Sequence, residues 1–200
     1  MDHYFSDNPS IASKTRYITY EINGQKYQLL SDNGVFSKNE IDMGTFILLR
    51  TIVPMQLKGS ILDVGCGIGT IGLTIASCSP ITHCTLVDVN LRALTLCEKN
   101  AKTLKLDDRV TILSSDVYKN VKGTFDYILS NPPIRAGKKV TYAIYEGAYE
   151  RLNENGALII VIRKAQGAES ATKYIESIFG NVSLIERSKG YHVLLARKCK

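Results

Sequence analysis

The 200-residue sequence contains no apolar run approaching the ~20 residues that a membrane-crossing helix needs. Its N-terminus, Met1-Asp2-His3-Tyr4, carries neither a basic stretch nor an apolar core, so no export signal is expected and the cytoplasm is the expected location. The five cysteines, Cys66, Cys78, Cys84, Cys97 and Cys199, form no CxxC pair and have no histidine cluster near them. An odd set without pairing spacing argues against a disulfide framework and against a zinc site, and for reduced thiols. Internal repeats and low-complexity segments are also missing.

What remains is an ordinary globular composition. A chain of this length fits one domain able to bury a full core. The expected organisation is residues 1–55 as an N-terminal hairpin and helix, then a core over 56–200. The formal net charge of +6 points to an anionic partner, with the position of the cations more informative than their sum.

Residues 15–30 alternate as a hairpin around Asn23-Gly24, a dipeptide that supplies the positive φ angles of a tight turn. Ser37-Lys38-Asn39-Glu40 has capping-box spacing, after which Phe46, Leu49 and Val53 recur at helical intervals until Pro54. From residue 60 the pattern becomes alternating strand and helix. Strands are expected at 60–64, 83–88, 110–114, 125–130 and 156–162, with helices near 70–78, 91–104 and 141–152. After a helix near 166–179, strands at 182–187 and 191–197 are joined by Ser188-Lys189-Gly190, a link too short for a crossover. The fold class is therefore α/β: a seven-stranded, mostly parallel Rossmann-like sheet ending in an antiparallel hairpin, with helices on both faces.

Asp63-Val64-Gly65-Cys66-Gly67-Ile68-Gly69 ends a strand and opens a helix, where glycines let a ligand approach bare backbone. Asp63 would repel a diphosphate at this position and attract an ammonium group. Asp88, 23 residues after Gly65, ends the next strand and suits ribose hydroxyls. Ser115-Asp116 ends the third strand and suits an adenine amino group. These acids favour S-adenosylmethionine over a dinucleotide. Cys66 reads as small-residue packing in the loop wall, His83 as a strand opener and His192 as an alternating strand position.

Ser130-Asn131-Pro132-Pro133 ends the fourth strand. Two prolines fix the backbone and remove two donors, leaving acceptors. An exocyclic –NH2 has a delocalised lone pair and is a poor nucleophile. Accepting its N–H bonds with the Asn131 side-chain oxygen and the Pro132 carbonyl would aim that nitrogen and stabilise developing positive charge.

Asn131-Pro132-Pro133-Ile134 resembles the (D/N)PP(Y/F/W/I) signature of amino-methyltransferases. The longer run to Lys139 resembles the small YbxB-like relatives of the RsmC-type 16S rRNA guanine-N2 methyltransferases. So do His3-Tyr4-Phe5-Ser6, Gly34-Val35-Phe36-Ser37, residues 41–45, residues 63–72, Asp88-Val89-Asn90, Arg92-Ala93 and Gln166-Gly167-Ala168. The resemblance implies that Phe36, Asp42 and Thr45 close over the methionine end of S-adenosylmethionine. It places Asp63, Gly65, Cys66, Gly67, Gly69, Asp88, Val89, Asn90, Ser115, Asp116 and Asn131 around that cofactor, and gives Asn131, Pro132 and Pro133 the target amine. Ile134 departs from the common aromatic at the fourth signature position, and the second N-terminal domain of RsmC-type enzymes has no counterpart of that size here. Arg135, Lys138 and Lys139 after one strand, with Arg163 and Lys164 after the next, should gather at the site rim and meet phosphates. The implied acceptor is guanine N2 in ribosomal RNA, alone or in the small ribosomal subunit. A glutamine side-chain amide of a protein factor, or a non-catalytic cofactor-binding role in ribosome assembly, are the alternatives.

Overall fold

The computed structural model describes residues 12–37 and 39–199. His3-Tyr4-Phe5-Ser6 and Lys38 of the sequence reading lie outside the described residues. Strands β1 (Arg16–Ile22) and β2 (Gln25–Ser31) pair antiparallel around Asn23 and Gly24, which take φ of 50° and 78°. That is the turn the dipeptide predicts.

Helix α1 (Met43–Ile52) starts later than the capping-box spacing suggests. Its N-cap is Asp42, whose carboxylate accepts the Thr45 backbone N–H at 3.0 Å. Ser37 has φ of 57°, so its segment turns instead of winding. Asp-x-x-Thr outcompetes Ser-x-x-Glu because the acid sits directly before the apolar-periodic run. Pro54 ends the helix in a short 3-10 turn, as expected.

Seven further strands form one sheet: β3 (Gly59–Val64), β4 (Ile81–Asp88), β5 (Val110–Ser114), β6 (Phe125–Ser130), β7 (Leu152–Arg163), β8 (Ser183–Ser188) and β9 (Tyr191–Arg197). Their order is β5-β4-β3-β6-β7-β9-β8, with β9 antiparallel to both β7 and β8 and the other pairs parallel. Strand β7 begins at Leu152, earlier than expected, because the chain leaves the preceding helix directly into a strand whose register shifts against β6. The chain winds outward from β3 in one direction and from β6 in the other. The β3–β6 crevice is thus the switch point where α/β sheets bind ligands.

Helices α2 (Thr70–Cys78) and α3 (Leu91–Thr103) cover one face together with α1 and the hairpin. Helices α4 (Lys138–Arg151) and α5 (Ala168–Phe179) cover the other. Both faces being covered explains why β7 reads as a continuous buried run from Gly156 to Ile162. The hairpin is no loose appendage. Tyr20 hydrogen-bonds Thr74 on α2 at 2.7 Å and stacks on Tyr27, and the Asn100 side chain on α3 holds the backbone of Leu30 and the carbonyl of Ile68. No helix among the described residues is long and apolar enough to cross a membrane.

Candidate active site

The parallel strands end on one edge of the sheet, and that edge collects the predicted residues. Asp63 pairs in register with Leu129, so two residues further along each strand lie Gly65 and Asn131, on either side of the switch point. Buried Ser130 ties the two ends together: its hydroxyl donates to the Val64 carbonyl at 2.7 Å.

The glycine loop divides into two kinds of glycine. Gly65 and Gly67 have φ of 74° and 55°, and a Cβ on either would project into open space. They form a bare cradle facing the cleft. Gly69 differs. It is buried, and a Cβ there would come within 2.7 Å of the Cys97 sulfur and the Leu73 side chain, so close packing of α2 demands a glycine here. Cys66 is buried, its thiol pushed well above the ordinary range by burial, as suits a packing residue.

Asp63 is fully buried. One oxygen accepts the Gly72 N–H at 2.8 Å and anchors the start of α2; the other has no partner. Burial, only partly offset by that bond, pushes its carboxyl up to about 7. An acceptor left orphaned beneath the cradle is costly alone and suits a cationic ligand group. Asp88 accepts N–H bonds from Gly67 and Asn90 at 2.8 and 2.9 Å, and burial raises its pKa as well. It thereby shapes the cradle. Val89 and Leu91 beside it leave apolar surface exposed.

Two residues expected at the cofactor are turned to other work. The Asn90 side chain is buried, caps α3 by accepting the Ala93 N–H, and donates to the Gly34 carbonyl. The Ser115 hydroxyl bridges its own loop between the Val117 carbonyl and the Asn120 N–H, leaving Asp116 as the exposed acid at that strand end. Phe36, half exposed, lies in the turn segment before α1.

The Asn131 amide donates both its protons, to an Asp42 carboxylate oxygen at 2.8 Å and to the Thr45 hydroxyl at 2.9 Å. Its Oδ1 is left as the free acceptor. The Pro132 carbonyl is less open than its sequence suggests. It accepts the Ile134 N–H at 2.8 Å across Pro133, so one lone pair is engaged and one remains. The Ile134 side chain packs toward α4 and α5 and lines a small cleft of about 50 Å³ with Lys138, Tyr142 and Gln166.

Arg135, Lys138, Lys139, Arg163 and Lys164 are all exposed at this edge, as the strand directions require. Sequence reasoning missed Arg187 and Lys189. Strand β9 runs antiparallel, so Tyr191 pairs with both Arg163 and Ser188, and Gly190 accepts the Lys164 N–H at 2.8 Å. The β8–β9 turn therefore rises at the same rim. Burial, then Arg187 and Lys164, depress the pKa of His192, consistent with cations on both sides of it. None of the seven rim cations forms an ion pair among the described residues.

A seven-stranded sheet with a reversed last strand, a glycine cradle at the switch point and an Asn-Pro-Pro corner beside it define a class I methyltransferase, the fold that uses S-adenosylmethionine. Residues 26–195 match the family model of the methyltransferase small domain, and the chain belongs to that family. It is 42% identical to YbxB of Bacillus subtilis (strain 168) over 199 residues, covering 98% of each chain. It is 34% identical to ribosomal RNA small subunit methyltransferase C of Vibrio vulnificus (strain CMCP6), covering 92% of this chain and 53% of that one. The T. thermophilus 16S rRNA N2 G1207 methyltransferase RsmC, solved with AdoMet and guanosine, superposes with a TM-score of 0.83 at 25% identity, over 95% of this chain and 52% of that one. The chain thus spans about half the length of its RsmC relatives.

Proposed function

We propose that this chain methylates the exocyclic N2 amine of a guanine in 16S ribosomal RNA, free or in the small subunit. The observation that carries the reading is the Asn131 amide: both its protons are taken, which leaves its oxygen as an acceptor at the strand end next to the switch point. When bound, S-adenosylmethionine supplies an electrophilic methyl group on a sulfonium. Gly65 and Gly67 would cradle it, Asp63 would meet its ammonium group, and Asp88 its ribose. Asn131 Oδ1 and the remaining lone pair of the Pro132 carbonyl would accept the two N–H bonds of the target amine. That fixes the direction of its nitrogen lone pair and stabilises the positive charge it develops. The names of the RsmC relatives support guanine N2, and the unpaired basic rim supports a polyanion over a glutamine side chain in a protein factor.

The test is transfer of labelled methyl from S-adenosylmethionine to unmethylated 16S rRNA, to small subunits and to release factors, followed by mass analysis of nucleosides. N2-methylguanosine in the RNA is the expected product. Asn131→Ala should lower transfer by about 10²–10³-fold while cofactor binding survives in calorimetry. Label in a glutamine of a release factor would move the reading to that acceptor, and cofactor binding without transfer to any of the three would leave an assembly role.

A further inference from the structure

Asp42 and Thr45 lie outside the sheet, yet they reach across to its catalytic corner. One Asp42 oxygen does two jobs: it accepts the Thr45 backbone N–H at 3.0 Å, capping α1, and the Asn131 Nδ2 proton at 2.8 Å. The Thr45 hydroxyl, on a residue 6% exposed, takes the second Nδ2 proton. A carboxylate can only accept, so it admits the Asn131 amide in one sense, nitrogen inward and oxygen toward the cleft. A bond to an ionised acceptor is also stronger than a neutral one, and it draws electron density through the amide onto Oδ1.

We infer that Asp42, with Thr45, is a positioning residue that acts through Asn131, fixing which end of the amide meets the target amine and strengthening that acceptor; this rests on the amine-methylating reading above. Capping alone needs a side-chain oxygen next to the backbone at position 42, which serine supplies as well. Setting the amide needs an acceptor that reaches Asn131 and cannot donate, which serine is not.

The two roles separate in Asp42→Ser, which keeps a capping oxygen on a side chain too short to reach Asn131. The amide is then free to turn, and kcat on rRNA should fall about ten- to hundredfold while the melting temperature stays near wild type. Asn131→Asp sets two carboxylates side by side, which must share a proton, so its residual activity should rise toward acid pH.

A readout without turnover is the side-chain ¹⁵N–¹H₂ resonance of Asn131 in the intact protein. Its two protons should exchange slowly in the wild type and lose that protection in Asp42→Ser. Thr45→Val should release one of them, and it serves as the variant if Asp42→Ser unfolds. Unchanged amide exchange in these variants would overturn the inference. So would an activity loss fully accounted for by weaker cofactor binding. If the wild type methylates no RNA, the acceptor reading falls while the amide spectrum still decides the role of Asp42.

Discussion

The Asn100 side chain pairs with the backbone of Leu30 as a neighbouring strand would, accepting its N–H at 2.7 Å and donating to its carbonyl at 3.1 Å. Strand β2 is thereby stitched to α3 through a single amide. The same amide also donates to the Ile68 carbonyl behind the glycine loop. Asn100→Leu would leave three backbone groups of this junction without partners. The expected loss is about 3 kcal/mol in urea unfolding, with proteolysis entering first at the hairpin.

The pH dependence of stability should carry the mark of Asp63. Its folded carboxyl stands near 7 against an ordinary 3.8, because it is buried. Between those two values the native state holds a proton that the unfolded chain has released. Stability contributed by this group is therefore present at low pH, declines as pH rises through that window, and is flat above it. Thermal unfolding of ligand-free Asp63→Asn from pH 5 to 8 should show a shallower decline than wild type. Equal slopes would locate the titration elsewhere.

Two glycines two positions apart in the nucleotide-like loop, Gly67 and Gly69, should fail differently. A methyl at Gly67 enters the open cradle from a backbone at φ of 55°. Gly67→Ala should fold, with a modest strain cost of about 1 kcal/mol, and lose cofactor affinity in calorimetry. Gly69→Ala drives the same methyl against Cys97 and Leu73, so its melting temperature should drop further than that of Gly67→Ala.

The β8–β9 turn belongs to the phosphate-facing rim only if its cations contribute to RNA binding. Neutralising Arg187 and Lys189 should weaken rRNA binding and flatten the dependence of log K on log salt, by about 0.7 per lost contact on a single strand. The same pair of changes should leave cofactor affinity untouched. An unaltered salt slope would confine binding to Arg135, Lys138, Lys139, Arg163 and Lys164.

Strands β3 to β9 and helices α2 to α5 were legible because period and punctuation agree along that stretch, and the reversed β9 followed from a link only three residues long. The place of the corner was legible too, since Asn131-Pro132-Pro133 follows directly on the apolar strand β6. What stayed hidden depended on contacts between distant segments. Asn90 offers the same side chain to a ribose or to a helix end, and only burial decides that it caps α3. Gly69 reads like Gly67 until Cys97 is seen against it. Arg187 and Lys189 looked like part of a polar hairpin because their place at the rim depends on pairing with β7. The start of α1 was misread because two acidic or hydroxyl candidates, five residues apart, both satisfy a capping rule, and tertiary contact with Asn131 favours the second.

The Ser130–Val64 latch has a consequence for how such a site can diversify. Reach between the cradle and the corner is set inside the sheet, by neighbouring strand ends locked at a buried hydroxyl. Aim, on the inference above, is set outside it, by Asp42 and Thr45 at the start of a helix packed on the sheet face. Substitution at those two positions would turn the Asn131 amide without altering the spacing of the strand ends.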